Sequence, residues 1–165
     1  MSKKKKGNLM KIQPKQLGNI LTREQWDKVL AGASGEMHGL VLIALKTGQR
    51  IGDILNLKQR DADLVKDKIR FTIAKTGCVL EMPLDPPSRT WIEEQVKGSN
   101  ADSNALIFQE LAGKGSMAVS RLLRQLGQKV GVNLDLHSFR RSFIQTQKEH
   151  GVSMEEMVNL MGYKS

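Results

Sequence analysis

The stretch GLVLIALKTGQRIGDILNL, Gly39–Leu57, joins a strongly apolar segment to a sharp break in the chain. Leu40–Leu45 is apolar on nearly every side of a helix that we predict over Met37–Lys46, and a helix of this kind must be buried. The Thr47–Gly48 pair ends that helix, and a short third helix is predicted from Gln49 to Leu57. The stretch therefore predicts a helical domain built around one central helix.

A first helix is predicted just upstream of the central helix. Thr22 is a favourable N-cap residue, and Gln25 three positions later completes the pattern of a capping box. Trp26, Val29 and Leu30 then recur at helical spacing and give this helix one apolar face.

The pattern changes downstream, where short β-rich segments alternate with turn residues. Breaks at Lys66–Asp67 and at Thr76–Gly77 separate three strands, and the nearby prolines close the sheet because proline cannot donate to a strand ladder. The predicted strands are Ala62–Val65, Lys68–Ile73 and Val79–Leu84. We predict a small three-stranded antiparallel sheet.

Helical periodicity returns after the sheet, and Gly151 is placed to end the penultimate helix. The predicted helices are Ser88–Val96, Ser116–Val130, Ser138–His150 and Ser153–Met161. The fold class is α+β, mainly α: a helical domain that carries a small three-stranded antiparallel sheet.

Charge indicates the class of partner. The 165 residues include 26 Lys and Arg against 17 Asp and Glu, which gives a net charge of +9. This excess favours a polyanion such as nucleic acid, although a basic surface with no partner has the same composition. Residues 1–20 are predicted to be a basic linker or arm, or else a disordered tail. A lysine run within this segment either contacts a DNA backbone or has no function. Its members are Lys3, Lys4, Lys5 and Lys6.

Cysteine content and hydropathy limit the compartment. Cys78 is the single cysteine, which excludes an intrachain disulfide and favours a reducing compartment. The sequence has no secretory signal and no apolar run long enough for a membrane span, so a cytoplasmic protein without a membrane partner is expected. Cys78, His38 and His150 lack the spacing of metal ligands, and neither a metal nor another cofactor is expected.

Three sets of residues are candidates for chemistry. Arg50 follows the buried helix beside inward-facing residues, and Asp53 lies three positions on; the two could form a purely structural pair. Lys75 is expected at the tip of a hairpin, where it could reach a ligand or simply be solvated. His137 and Arg140 share a helix face near an N-terminus that favours anions, although such a pair is common by chance.

Together these residues supply most of what phosphoryl transfer requires. Two arginines can bind the non-bridging oxygens of one phosphate and stabilise the charge of a five-coordinate transition state. A lysine can protonate a leaving oxygen, and a histidine can move a proton near neutral pH. Only a nucleophile is missing from the set.

At this point the chain resembles the catalytic domain of the tyrosine recombinase (phage integrase) family. Four segments carry the resemblance in the family's order, and Leu21–Glu24 is similar to the usual opening of the domain. They are Thr47–Leu57, Ala74–Gly77 with Met82–Leu84, Leu136–Phe143, and Gly151–Ser153 with Leu160–Ser165. The resemblance implies a catalytic domain over residues 21–165.

The resemblance also implies roles for the candidate residues. Arg50 and Arg140 would bind the scissile phosphate, and Lys75 would be the general acid to the leaving 5′ oxygen. His137 would be the general base or a phosphate ligand, and Asp53 matches the family's acidic supporting position. Next to this site, Arg141 is expected to contact DNA.

Tyr163 is the only tyrosine of the chain. By resemblance it directly follows Leu160–Gly162 at the position where the family carries His or Trp, and its hydroxyl can donate a hydrogen bond to phosphate. The family nucleophile lies a couple of helical turns further on, so a chain truncated before its nucleophile and inactive alone is expected. The opposing interpretation makes Tyr163 the nucleophile.

The implied function is site-specific DNA recombination or integration through a 3′-phosphotyrosyl intermediate, in a prokaryotic or phage-encoded protein. Double-stranded DNA is the expected partner, and the resemblance implies a tetramer on DNA. Two alternatives stay open. The first is a non-catalytic DNA-binding protein that uses a helix-turn-helix over Ser138–Met161, and the second is a degenerate recombinase that binds DNA without cutting it.

Overall fold

A buried helix organises the fold, as seen in a computed structural model that describes residues 20–97 and 104–161. In chain order the helices are α1 (Arg23–Gly32), α2 (Gly35–Thr47), α3 (Ile51–Leu55), α4 (Pro86–Lys97), α5 (Gln109–Lys114), α6 (Ser116–Val130), α7 (Ser138–Glu149) and α8 (Met154–Leu160). The strands are β1 (Ala62–Asp63), β2 (Lys68–Thr72) and β3 (Val79–Pro83), and a 3₁₀ turn, Gln59–Asp61, precedes β1. The predicted mainly helical α+β fold is confirmed.

Helix α2 is the centre of the core. Every residue from Gly39 to Leu45 is buried, as the unbroken apolar run predicted. The helix packs against α1, α4, α5 and α7, so it is covered on several sides. At Gly39 an added Cβ would lie 2.3 Å from the ring of Trp91 on α4, so glycine lets these two helices approach closely. Trp91 in turn stacks on Phe108, with ring centroids 5.1 Å apart.

The sheet is antiparallel in the order β1-β2-β3. In β2 the side chains of Ile69 and Phe71 are fully buried while their neighbours are exposed, which is the alternation of a half-buried strand. Ile69 lies opposite Met82 of β3, and both side chains belong to the core. The register thus turns one face of the hairpin inward.

Several predicted boundaries differ from the structure. The third helix is shorter than predicted at both ends, and β1 ends at Asp63 rather than Val65. Helix α4 begins at Pro86 instead of Ser88, because proline is well accommodated in a first helical turn, where its missing N–H has no partner to lose.

Helix α5 was not predicted. The carboxylate of Glu36 on α2 accepts hydrogen bonds from the backbone N–H groups of Glu110 (3.1 Å) and Leu111 (2.8 Å) at the start of α5. These bonds satisfy amides that a helix N-terminus leaves unpaired, and they come from a residue distant in sequence. No helix in the described ranges is long and apolar enough to cross a bilayer.

Candidate active site

The loop between α2 and α3 presents Arg50. Gly48 ends α2 in the left-handed conformation, with φ of 68°, which glycine adopts without a steric penalty. The chain then turns extended at Arg50, which is the N-cap residue of α3 and is half-buried. Gln49 lies between them and is buried. We call Gly48–Arg50 the arginine loop.

Arg140 lies in the first turn of α7 and is only 7% exposed. Its Nη1 donates to the carbonyl oxygen of Gly48 at 2.8 Å, and its Nη2 lies 3.4 Å from the carbonyl oxygen of Met161. A buried guanidinium requires such partners, because taking an unpaired charge out of water is costly. Arg140 therefore joins the arginine loop to the end of α8.

The two arginines and the histidine meet at one cavity of about 190 Å³. The sequence predicted that these side chains act together, and the structure brings them to a common surface although they lie on different helices. The full lining is Arg50, Ile51, Gly52, Ser116, Leu136, His137 and Arg140. We call this the arginine pocket.

The position of His137 is set by the start of α7. His137 is the exposed N-cap residue of this helix, and its backbone N–H donates to Oδ1 of Asp135 at 2.8 Å. The same carboxylate oxygen accepts from Ser138 Oγ at 3.3 Å and forms an ion pair with Arg141 at 3.5 Å. Asp135 thus fixes the turn that carries His137, and it ties Arg141, the predicted DNA contact, to that turn.

Lys75 lies in the turn of the β2–β3 hairpin and is exposed. It is not among the residues that line the arginine pocket. Asp53, which is 5% exposed, accepts a hydrogen bond at its Oδ1 from the backbone N–H of Ala74, at 3.0 Å. This bond ties α3 to the residue next to Lys75, which suits the supporting position that the resemblance implies for Asp53.

Sequence reasoning missed three residues near the site. Ser116 lines the pocket from the start of α6, Asp135 organises the start of α7, and Gln49 contacts the end of α8. Asp135 was a readable turn signal, because an Asp side chain commonly accepts a hydrogen bond from the backbone N–H two residues on, as it does here from His137. Nothing local marks Ser116 or Gln49, because their partners are distant in sequence.

Five other predicted residues lie outside the described part of the chain. They are Lys3, Lys4, Lys5, Lys6 and Tyr163. The nearest described residue to Tyr163 in sequence is Met161, whose side chain is fully buried and whose carbonyl oxygen faces Arg140. Within residues 20–97 and 104–161, no three His, Cys, Asp or Glu side chains gather as a metal site would require.

The arrangement suits an anion with several oxygens. Arg50 and Arg140 bring two positive charges to one cavity, and the start of α7 contributes the partial positive charge of a helix N-terminus. His137 adds a group able to donate a hydrogen bond or move a proton at the same surface. A phosphodiester bound there would receive more stabilisation as its charge increases in a transition state.

Comparison with known proteins identifies the class. A sequence model of the phage integrase family matches residues 13–165. The chain belongs to the phage integrase family, the tyrosine recombinases. Among curated relatives it is similar to tyrosine recombinase XerA of Pyrococcus furiosus, with 26% identity over 160 residues. That match covers 92% of this chain and 56% of XerA, so the chain spans little more than half of that relative.

Solved structures confirm the fold. A crystal structure of XerA recombinase superposes with a TM-score of 0.73 at 19% identity, covering 88% of this chain and 56% of that one. The Tn1549 transposon integrase in complex with circular intermediate DNA also gives 0.73, at 17% identity, covering 88% and 59%. A lambda integrase tetramer bound to a Holliday junction gives 0.62 at 19% identity, covering 88% and 46%.

Proposed function

We propose that this chain supplies the phosphate-binding half of a site-specific DNA recombinase that breaks and rejoins DNA strands. The observation that carries the proposal is the convergence of Arg50, His137 and Arg140 on one cavity. Membership of a family of strand-exchanging enzymes makes a DNA phosphodiester the anion to expect there.

The proposed reaction is a transfer of the phosphoryl group between two hydroxyls. A tyrosine hydroxyl attacks the scissile phosphate, a 3′-phosphotyrosyl bond forms, and the bond to the 5′ oxygen breaks. Arg50 and Arg140 stabilise the added negative charge, and Lys75 gives its proton to the leaving 5′ oxygen. His137 binds the phosphate or accepts the proton of the attacking tyrosine. Attack by a free 5′ hydroxyl on the phosphotyrosine then reverses the step and seals a strand.

Lys75 has to reach the phosphate from the hairpin. Its exposure at the turn leaves the side chain able to extend toward bound DNA, while the Asp53 bond to Ala74 holds the base of that turn. We propose that the hairpin delivers Lys75 only when DNA lies across the arginine pocket.

Tyr163 is proposed as a phosphate ligand and not as the nucleophile. Its position in the sequence matches the family's His or Trp, and Arg140 holds the carbonyl of Met161 two residues earlier. In this proposal the chain by itself binds DNA but forms no covalent bond with it.

A stripe on α6 is proposed as a DNA-binding surface beside the pocket. Met117, Arg121, Arg124 and Gln128 recur at helical spacing and are exposed, with Met117 at 79%, while Val119, Leu123 and Leu126 of the same helix are buried. The helix begins at Ser116 in the pocket lining, so the stripe starts next to the pocket, and we propose that a duplex seated there extends along it. Phosphate contacts from the arginines would place the duplex, and the tetramer implied by resemblance would assemble on it.

The first experiment measures affinity for double-stranded DNA by fluorescence anisotropy over a range of salt concentrations. The matched variants are Arg121→Gln and Lys148→Gln, which remove one positive charge each; Lys148 lies at the opposite end of α7 from the pocket. Arg121→Gln should weaken binding and lower the salt slope by about 0.9 per lost phosphate contact, and Lys148→Gln should leave the slope unchanged. Equal effects of the two variants would contradict the proposed surface.

The second experiment tests for covalent attachment. The chain is mixed with nicked duplexes that trap a cleaved intermediate, and products are separated under denaturing conditions, with Tyr163→Phe as control. No adduct is expected. An adduct that disappears in Tyr163→Phe would make Tyr163 the nucleophile. Arg140→Ala is made in a form of the enzyme that cleaves DNA. This variant should lose cleavage and keep most of its DNA affinity, a result that would exclude a purely DNA-binding role.

A further inference from the structure

The buried side chain of Gln49 connects two segments that the proposed mechanism uses separately. Gln49 is 2% exposed, and its Nε2 donates to the carbonyl oxygen of Leu160 at 2.9 Å. The same nitrogen lies 3.3 Å from the carbonyl oxygen of Thr47 and 3.7 Å from Sδ of Met82. One amide group therefore joins the arginine loop, strand β3 and the last residue of α8.

Arg140 makes a second connection parallel to the first. It bridges the carbonyls of Gly48 and Met161, while Gln49 bonds the carbonyl of Leu160. Two consecutive residues of the arginine loop are thus joined to two consecutive residues at the end of α8. Met161 is fully buried against the same loop, since its Cε would lie 3.0 Å from a Cβ placed on Gly48.

The amide of Gln49 is only half satisfied. Its Oε1 is buried and has no hydrogen-bond partner among the described residues. A buried acceptor without a donor is unfavourable, so packing alone would be served better by an apolar side chain of the same length. The favourable part of the amide is its Nε2 donor, which bonds the carbonyl oxygen of Leu160 at the end of α8.

We propose that Gln49 is a positioning residue that seats the end of α8 on the loop that presents Arg50. The inference rests on the proposed function only in taking the arginine pocket as the reaction site. Gln49 does not line that pocket, so it acts by holding Leu160 and not by touching the phosphate. Without its donor the arginines keep their places while the end of α8 loses its bond to the arginine loop.

The test compares two variants of the same turn by hydrogen exchange and mass spectrometry, without DNA. Gln49→Met keeps the length of the side chain and removes the donor to Leu160. Thr47→Val is the matched control, because the Thr47 hydroxyl also forms buried bonds, to Ile43 O at 2.7 Å and from Gln49 N at 3.3 Å, and neither bond involves α8. A peptide covering residues 157–165 should exchange about tenfold faster in Gln49→Met and at the wild-type rate in Thr47→Val.

The same peptide is then followed with duplex DNA present. DNA should slow exchange over residues 157–165 in the wild-type chain and in Thr47→Val. In Gln49→Met, binding should stay within about threefold of the wild-type affinity while that protection is lost. If the wild-type chain binds no DNA, the proposed function fails, whereas the DNA-free comparison still decides the role of Gln49.

Two results would overturn the inference. One is unchanged exchange at 157–165 in Gln49→Met, and the other is an equal increase in both variants, which would indicate general destabilisation. If Gln49→Met does not fold, the proposal is tested on the wild-type chain by nuclear magnetic resonance. The side-chain amide protons of Gln49 should exchange far more slowly than those of exposed Gln128, and similar rates would refute the bond to Leu160.

Discussion

Replacing Gly48 by alanine tests the geometry of the arginine loop. Gly48 has a φ of 68°, a conformation that costs an L-residue about 1–2 kcal/mol. An added Cβ would also lie 2.3 Å from Cδ2 and 2.6 Å from Cγ of Phe143, and 3.0 Å from Cε of Met161. Relieving that overlap means shifting a buried ring or the loop itself, which costs about 1–3 kcal/mol in a packed core.

A smaller effect opposes these two. Alanine restricts the unfolded chain more than glycine does, which raises the free energy of unfolding by about 0.4–1 kcal/mol. The net expectation for Gly48→Ala is a free energy of unfolding lowered by about 3 kcal/mol. The same change would displace the Gly48 carbonyl, which is the 2.8 Å partner of Arg140.

Urea denaturation followed by the fluorescence of Trp26 and Trp91 measures the change. With a slope of about 2 kcal/mol per molar urea, the midpoint should fall by about 1.5 M. Gly113→Ala is the control, since Gly113 is exposed on α5 and an added Cβ there meets nothing within 4 Å. It should raise the stability by about 0.5 kcal/mol. A Gly48→Ala midpoint close to the wild-type value would refute the loop geometry.

Three further predictions follow from single contacts. Glu36→Ala removes both acceptors at the start of α5 and should lower the free energy of unfolding by about 1–2 kcal/mol in the same urea assay. Asp53→Ala should speed amide exchange in the turn that carries Lys75 by about tenfold while the β2–β3 ladder stays protected, as measured by nuclear magnetic resonance. The Ser153 backbone N–H, and then its hydroxyl, hold the pKa of Glu156 below the ordinary glutamate value, so Ser153→Ala should raise that pKa in a carboxyl titration. Because the pKa is lowered in the folded state, this contact stabilises above the unfolded pKa of glutamate, and its contribution is lost as pH falls through the folded pKa.

The candidate site was partly readable from the sequence because the family's residues stand in short, ordered segments. Arg50, His137 and Arg140 were predicted to act together, and they line one cavity. The helix ends were readable where the signal is local. Thr22 and Gln25 form the predicted capping box, and Gly151 adopts the left-handed conformation just after α7.

Other features had no local signal. Helix α5 depends on Glu36, whose carboxylate is brought to it by packing of α2. In the sequence Gln49 is an ordinary polar residue beside Arg50. Only the fold shows its bond to Leu160, 111 positions away in sequence. Lys75 was grouped with the arginines by chemistry, yet the structure places it on a separate exposed turn.

The sequence by itself determined the class of fold and the family, because hydrophobic period, capping residues and short motifs of charged side chains are local properties. It placed α2 in the core and predicted that two arginines and a histidine bind a phosphate. Tertiary structure alone decided which groups touch. It buried Arg140 between two carbonyls, left Lys75 outside the pocket and tied the end of α8 to the arginine loop. Such contacts depend on how helices pack in three dimensions, and residue spacing along one helix or strand does not encode them.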